Sequence, residues 1–358
     1  MTISGVSLHR ISLPLDEPYA VAYENFDSAE NVLVRIGAGG LNGWGCAAPD
    51  VHVTGETPEQ VLSAGEKFLP ELLRRMDPFR RALIMKYLKR ETPGLHSLHA
   101  AVDMALWDLI GKKAGLPVWK ILGGYRDKIR TSVTVGICGV EETVRLSREW
   151  VDAGFSILKI KGGKDSELDV ERIREVRRRL GPKISLRFDA NQGYTADEAI
   201  RFASRIAEMD VELFEQPTPM AKPDLLGLVT RKSDTPVMAD ESLVSLIDTF
   251  HLVKRGLVDL VNIKLMKAGG ITEAIQMDAV ARAAGVEVMV GCMDESALGI
   301  AAGLHFALSR RNIRYADLDG HMGLQGDPAA GTVILRRGYL HPSPAPGLGW
   351  DGPIEPLD

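Results

Sequence analysis

The 358-residue chain has few cysteines, few aromatic residues and no long apolar run. Its three cysteines, Cys46, Cys138 and Cys292, are odd in number and far apart, so we expect buried, reduced thiols and neither a disulfide framework nor a cysteine metal site. No apolar stretch reaches the roughly 20 residues that span a bilayer. The N-terminal sequence lacks a basic segment followed by an apolar one, so no export signal is expected. These absences predict a cytoplasmic protein.

Positive charge is not in excess either. The chain has 43 Lys and Arg against 48 Asp and Glu, a net charge of −5, which gives no electrostatic case for nucleic-acid binding. The 45% hydrophobic and 25% charged residues are typical of a globular protein. The length accommodates a barrel of about 250 residues and a second, smaller domain. We expect a homo-oligomer that binds a small molecule and neither nucleic acid nor a membrane.

The chain does have a regular series of polar residues, each at the end of a short apolar run. They are Lys161, Asp189, Glu215, Asp240, Lys264 and Asp317. The first five are separated by 28, 26, 25 and 24 residues. One strand, one helix and two short loops take about that length. Repeated units of this kind predict a parallel β/α barrel with its active site at the carboxyl ends of the strands.

The predicted barrel strands are 130–137, 156–161, 184–190, 211–215, 236–240, 259–265, 286–292 and 313–318. Before them, strands at 3–13, 30–37 and 42–46 precede three helices without alternation, which is typical of a separate α+β unit. The predicted fold is a modified TIM-type (β/α)7β barrel with an N-terminal α+β capping domain. We expect the capping domain at 1–125, the barrel at 126–320, and a C-terminal segment at 321–358 that returns to the capping domain with one more strand.

Three acids at the ends of consecutive strands suggest a metal site. Asp189, Glu215 and Asp240 would point into one mouth of the barrel, where their negative charges repel one another. A hard divalent cation relieves this repulsion, and an all-oxygen set favours Mg²⁺, with Mn²⁺ as an alternative, over zinc. Three ligands also leave positions for water and a substrate carboxylate. The alternative interpretation is that each acid caps a helix or forms a salt bridge.

Lysines flank these acids. Lys159 and Lys161 alternate on one strand and share a face, and Lys264 lies across the mouth. A second ammonium and a divalent cation lower the pKa of a lysine, so it can act as a base. Two such groups on opposite sides of a carbon could remove a proton and return it to the other face, while the metal stabilises the enolate. Alternatively, the lysines extend to solvent. Lys267 is interpreted as a loop residue.

These motifs resemble the enolase superfamily, and in particular its muconate-lactonizing branch, over essentially the whole chain. They are LKIK (158–161), FDANQGY (188–194), FEQP (214–217), ADES (239–242) and NIKLMKAGG (262–270). The resemblance implies Mg²⁺ at the three strand-end acids. It also implies that Lys161 and Lys264 are the acid/base pair, that Lys159 lowers the pKa of Lys161, and that Asn191 supports the metal.

The last two barrel strands resemble those of dipeptide epimerases, in GCMDES (291–296) and DLD (317–319). The resemblance implies that Asp317 and Asp319 bind the α-ammonium of the first residue, and alternate strand positions do share a face. An ordinary acid cluster is the alternative. Other members of the superfamily are also considered: o-succinylbenzoate synthase, N-succinylamino acid racemase and muconate cycloisomerase. The substrates of these three enzymes are acidic, so their binding gives no reason to place two carboxylates, Asp317 and Asp319, at this position.

Substrate specificity is expected to depend on two capping loops, 16–27 and 48–56. In the L-Ala-D/L-Glu epimerases the first loop carries an arginine for the glutamate side chain, and this chain has Glu24 instead. Glu24, Asp50 and Asp294 would form an acidic pocket that favours a cationic or polar side chain. The alternative is that Glu24 faces solvent.

Two further residues complete the predicted site. Thr134, on the first barrel strand, is expected to contact substrate. Glu295 is expected to shape the floor of the site or to form local hydrogen bonds.

Overall fold

The computed structural model describes residues 1–20 and 25–352. Strands β1 to β14 are Ile3–Ala20, Asn25–Ala38, Leu41–Ala47, Ile129–Arg130, Val133–Val135, Ile157–Lys161, Ser185–Asp189, Val211–Glu215, Val237–Ala239, Leu260–Lys264, Glu287–Gly291, Ile313–Asp317, Val333–Arg336 and Tyr339–Pro342. Helices α1 to α12 are Pro58–Leu73, Arg81–Glu91, His96–Ala114, Val118–Ile121, Val140–Asp152, Ser166–Leu180, Ala196–Ile206, Pro223–Thr230, Leu246–Lys254, Leu265–Ala268, Ile271–Ala283 and Ala297–Ser309. Within the described ranges, no helix combines the length and apolar character that crossing a membrane requires.

The N-terminal unit is an antiparallel sheet in the order β1-β2-β3, covered by α1 to α3. Helix α1 starts at Pro58, because Thr57 and Gln60 form a reciprocal capping box. Helix α3 lies directly on β3. A Cβ atom at Gly43 or Gly45 would come within 2.1 or 1.9 Å of an α3 carbonyl oxygen, so only glycine permits this approach.

The central unit is the predicted barrel. Strands β5 to β12 are parallel and follow one another in chain order, with helices between them. The first and last strands meet where Ser132 N donates to Ala316 O at 3.1 Å. The fold class that the periodicity predicts is confirmed, and the carboxyl ends of the strands lie at one mouth, below the β1–β2 hairpin.

The first predicted capping loop is largely a β-hairpin. Strand β1 continues to Ala20 and β2 begins at Asn25, with Tyr19 and Phe26 as register partners. The predicted strand at 3–13 is shorter than β1, which continues past Pro14 and Pro18. Because β1 is an edge strand, it tolerates proline. The loop at 48–56 is irregular, as predicted.

The C-terminal segment is expected to contain one more strand, at 332–340, and this prediction is wrong because the structure has two strands there. Arg337 and Gly338 have φ values of 50° and 72° and form a tight turn, so β13 and β14 make a hairpin. Strand β14 pairs with β4, at the start of the predicted first barrel strand, which is therefore split in two. Beyond the hairpin, Trp350 lies 5.0 Å from Trp44 of β3, measured between ring centroids. The domain boundaries and the homo-oligomer stay predictions.

Candidate active site

Strand register brings the predicted groups into one layer. Lys161 of β6 is the register partner of Asp189 of β7, which is the partner of Glu215 of β8. Asp240 follows β9 directly, and Lys264 ends β10. Lys161 and Lys264 lie on the second and sixth of eight strands, so a closed barrel places them on opposite sides of its mouth.

The lysines and acids of this layer are in contact. Lys159 Nζ lies 3.1 Å from Asp189 Oδ2, 2.9 Å from Glu215 Oε2 and 2.7 Å from Asp317 Oδ2. Lys161 Nζ lies 2.8 Å from Asp189 Oδ2. The structure thus brings the strand-end acids together with the lysines of β6.

The protein groups alone keep two of the lysines charged. Burial opposes the charged form of Lys159, but the carboxylates of Asp189, Asp317 and Glu215 outweigh it and raise the pKa of Lys159 well above its usual value. Burial likewise opposes the charged form of Lys264, and the carboxylate of Asp240 outweighs it and raises its pKa. Lowering the pKa of Lys264, as base catalysis requires, needs positive charge placed among the carboxylates.

The three acids differ in their protonation. Burial and then the nearby Asp189 carboxylate raise the pKa of Glu215 to about 8. Burial also opposes ionisation of Asp189 and Asp240, but lysines outweigh it and lower both pKa values. Crowding of buried carboxylates is therefore strongest at Glu215, which is the situation that a bound cation relieves.

The donor set fits a hard cation. Glu215 Oε2 and Asp240 Oδ2 are buried and accept no hydrogen bond of good geometry, although lysine ammonium groups lie 2.9 and 2.8 Å away. Among the described residues, no group of three or more His, Cys, Asp or Glu side chains is arranged so that it could hold a metal ion as it stands. Lysine ammonium groups contact all three acids, and Lys159 Nζ contacts two of them.

Lys267 is not a loop residue. It lies on the short helix α10, is 1% exposed, and its Nζ contacts both the carboxylate and the carbonyl oxygen of Asp240. Lys264 Nζ lies 2.8 Å from the other carboxylate oxygen of Asp240. Burial lowers the pKa of Lys267, against the opposing effect of the Asp240 carboxylate. The correction adds a buried cation to the site.

Sequence reasoning also missed two buried side chains beside the acids. Glu241 Oε1 accepts from Asn191 Nδ2 at 3.2 Å, and burial followed by the Asp240 charge raises the pKa of Glu241 to about 7. Asn262 Nδ2 donates to Glu215 Oε1 at 2.7 Å.

The predicted supporting residue, Asn191, lies among these groups and donates its backbone N–H to Asp189 Oδ1. The sequence did contain a signal for Asn262: side chains alternate along β10, so Asn262 lies on the same face as Lys264 and could have been predicted to face the site.

Asp317 and Asp319 lie at the end of β12 and both line the cavity. Asp317 accepts from Ser132 Oγ at 2.6 Å and from Lys159 at 2.7 Å. Asp319 Oδ2 accepts from the backbone N–H of Thr134 at 2.7 Å. Thr134 therefore lies beside the acid pair, as a cavity-lining residue.

A cavity of about 890 Å³ opens between the barrel mouth and the β1–β2 hairpin. Asp294 lines it and accepts a hydrogen bond of 2.6 Å from the Tyr19 hydroxyl. Asp50 also lines it, but one of its oxygens already accepts from the backbone N–H groups of His52 and Val53. Glu24 lies outside the described residues.

Glu295 is not part of the cavity lining. It is 3% exposed and its Oε1 accepts from the Met293 backbone N–H at 3.0 Å. All three cysteines are free, but only Cys46 is fully buried. The expectation that all three are buried is wrong for Cys138 and Cys292, because both line the cavity.

Comparison with known proteins identifies the family. Residues 5–123 match the N-terminal domain of the mandelate racemase / muconate lactonizing enzyme family. Residues 142–352 match the enolase C-terminal domain-like family. The chain belongs to the enolase superfamily, and the assignment from its motifs is confirmed.

Similar proteins of known activity are epimerases and racemases. The L-Ala-D/L-Glu epimerase of Bacillus subtilis (strain 168) is 40% identical over 98% of this chain and 96% of its own length. The L-Lys-D/L-Arg epimerase of Methylococcus capsulatus is 38% identical over 98% of this chain and 99% of its own. The crystal structure of the Methylococcus capsulatus dipeptide epimerase with Mg and L-Arg-D-Lys superposes with a TM-score of 0.93, at 38% identity over 98% of this chain and 99% of that one.

Proposed function

We propose that this protein is a Mg²⁺-dependent dipeptide epimerase that inverts the Cα of the second residue of its substrate. The observation that carries this proposal is the placement of Lys161 and Lys264 on opposite strands of one barrel mouth, with acids between them. Several relatives that match nearly the full chain are dipeptide epimerases, while one at 31% identity is an N-succinyl-L-Arg/Lys racemase.

The two lysines have separate tasks. One lysine, as a neutral amine, removes the α-proton from one face of the substrate. The other lysine, as an ammonium, delivers a proton to the opposite face. Because they lie on the second and sixth strands, a carbon between them is open to both. Lys159, held by three carboxylates, supplies a fixed positive charge beside Lys161.

Asp189, Glu215 and Asp240 would hold the metal, and Asn191 would support Asp189. When bound there, Mg²⁺ stabilises the negative charge that develops on the substrate carboxylate during proton removal. The unsatisfied oxygens of Glu215 and Asp240 are the ones available to it. Solved structures of relatives in complex with Mg support this assignment.

The charge of the cavity favours a cationic or polar side chain on the substrate. Among the described residues that line it, the only cationic ones are Lys159, Lys161 and Lys264, and none is an arginine. Asp50 and Asp294 also have no salt-bridge partner within the described residues. A glutamate side chain, a succinyl group or a muconate would have no counter-charge here, whereas a lysine or arginine side chain would.

A library of L,L-dipeptides incubated in D₂O with enzyme and Mg²⁺ tests the proposal. We expect deuterium to enter the α-position of the second residue, fastest for dipeptides with Lys or Arg side chains. N-succinylamino acids and muconate serve as the competing substrates. Exchange or turnover confined to those anionic compounds would overturn the proposal.

A further inference from the structure

A fully buried arginine contacts the end of the strand that carries Lys161. Arg172, on helix α6, donates from Nη1 to the backbone carbonyl of Lys161 at 2.6 Å. Its Nη2 donates to the carbonyl of Gly136, directly after β5, at 2.8 Å, and its Nε donates to the Thr143 hydroxyl on α5 at 2.8 Å. One planar cation therefore ties the carboxyl ends of β5 and β6 together and fixes the backbone from which the Lys161 side chain extends.

Asp169 holds both this guanidinium and the turn that follows Lys161. Its Oδ1 accepts from Arg172 Nη1 at 2.9 Å, and its Oδ2 accepts from the Gly163 backbone N–H at 2.9 Å. Gly163 has a φ of 101°, and a Cβ atom there would lie 2.1 Å from the Ala190 carbonyl oxygen, so this tight turn requires glycine. The turn is therefore held between α6 on one side and the loop after β7 on the other.

Asp169 also contacts the loop that follows Asp189. The hydroxyl of Tyr194, a buried residue of that loop, donates to Asp169 Oδ2 at 2.7 Å. The backbone N–H of Gly162 donates to the carbonyl of Asp189 at 2.8 Å. Buried groups thus fix the ends of the strands that carry Lys161 and Asp189 relative to each other.

We propose that Arg172 and Asp169 are positioning residues for Lys161. By fixing the Lys161 carbonyl and the turn after it, the pair sets the direction of the Lys161 side chain and holds its Nζ toward the substrate α-carbon. A buried ion pair costs desolvation, and apolar residues of similar volume often stabilise a fold equally well. What this pair contributes is therefore placement of the strand end, at the barrel face where the active site lies.

The effect of the pair is confined to one face of the substrate. The partners of Arg172 belong to β5, α5, β6 and α6 or directly follow them, and Lys264 on β10 is not among them. Without the pair, Lys264 still exchanges the epimer whose α-proton faces it, while exchange of the epimer that faces Lys161 slows. This inference rests on the proposed function and assigns a supporting group to one of its two lysines.

The test measures α-deuterium exchange of each epimer of one dipeptide, in D₂O with Mg²⁺, for Arg172→Lys and for a double variant that combines Arg172→Met with Asp169→Leu. The first keeps the charge but loses the planar fork of donors, and the second removes both buried charges together, so that neither is left unpaired. The epimer that Lys264→Ala still exchanges is the one that Lys161 serves. Its exchange should fall about 10- to 100-fold in both variants, because a displacement of about 1 Å can cost about 100-fold. Exchange of the other epimer, and KM for both, should change only a few-fold.

Arg177→Met is the matched control, because Arg177 lies on the same helix and also donates to backbone carbonyl oxygens, but near the amino ends of β7 and β8. These carbonyls belong to Gly181, Ile184, Met209 and Asp210. The control should keep exchange of both epimers within a few-fold of the wild type, and thermal unfolding measures what each replacement costs in stability. Equal losses for the two epimers in the Arg172 variants, or no loss, would overturn the positioning role alone. A wild type that exchanges no dipeptide would overturn the proposed function, and this inference with it.

Discussion

The hydroxyl of Tyr19, on the edge strand of the capping sheet, donates a 2.6 Å hydrogen bond to Asp294, which follows barrel strand β11. This contact joins the two units across the cavity. Because Tyr19 is a neutral donor, it orients the Asp294 carboxylate without cancelling its charge. Burial raises the pKa of Asp294, and the Tyr19 hydrogen bond opposes that rise, so the contact favours the charge on which the proposed preference for a cationic side chain depends.

Asp294→Asn should lower kcat/KM about 10- to 100-fold for dipeptides with a lysine or arginine side chain, since a charge-assisted contact is lost. Neutral dipeptides should change only a few-fold. Steady-state kinetics on matched pairs, such as lysine against norleucine, measure the difference. Tyr19→Phe is the control: it keeps the carboxylate and should keep the preference for cations. Equal losses on cationic and neutral dipeptides would remove Asp294 from substrate selection.

Mg²⁺ should stabilise the protein against thermal unfolding, because it binds the folded site. At about 100 times its dissociation constant, a ligand that binds only the folded state adds about 2.7 kcal/mol. Asp189→Asn should abolish the Mg²⁺-dependent rise in melting temperature. Asp210→Asn is a matched control, because Asp210 directly precedes β8 and so lies at the amino end of that strand, away from the carboxyl ends that form the site. An Asp189→Asn protein that keeps the full Mg²⁺ shift would contradict the assigned ligand set.

Lys267→Met should destabilise the protein by about 3 kcal/mol, since it leaves the buried Asp240 carboxylate without one of its two ammonium partners. Chemical denaturation measures the change. Lys183→Met is the control, because Lys183 is exposed. If the free energy of unfolding falls by the same amount in both variants, the buried ion pair between Lys267 and Asp240 does not stabilise the protein.

Acid should destabilise the fold through His305. This buried histidine accepts from the Trp119 backbone N–H through Nδ1, and burial lowers its pKa to about 3 from 6.5. The unfolded chain therefore binds one more proton than the folded chain between those pH values, and stability falls as the pH falls. His305→Gln should reduce the slope of stability against pH by up to about 1.4 kcal/mol per pH unit below pH 6. An unchanged slope would mean that His305 is already protonated in the folded state.

The strand-end groups could be predicted because one period governs both the fold and the site. A βα repeat of about 25 residues puts Lys161, Asp189, Glu215 and Lys264 at the same level of the barrel, and the register of β6, β7 and β8 places the first three side by side. Nothing beyond spacing and strand position was needed.

Other features depend on tertiary contacts that spacing does not encode. Lys267 follows a strand by three residues, and only the helical turn of α10 directs it back to Asp240. Ser132 lies between β4 and β5, in a segment predicted as one strand, and its contact with Asp317 depends on the closing of the barrel between this segment and β12. The β1–β2 hairpin extends past Pro14 and Pro18 because β1 is an edge strand, whose outer side forms an isolated bridge between Leu15 and Leu324 instead of pairing with another strand of the sheet.

The most direct test of the central claim is stereospecific exchange in single-lysine variants. Lys161→Ala and Lys264→Ala are each incubated in D₂O with both epimers of one substrate dipeptide, and α-deuterium is followed by NMR. Two bases on opposite faces predict that neither variant epimerises, and that each still exchanges one epimer, the opposite one in the two cases. If both variants exchange the same epimer, or if either still interconverts the epimers at the wild-type rate, the two-lysine account is contradicted.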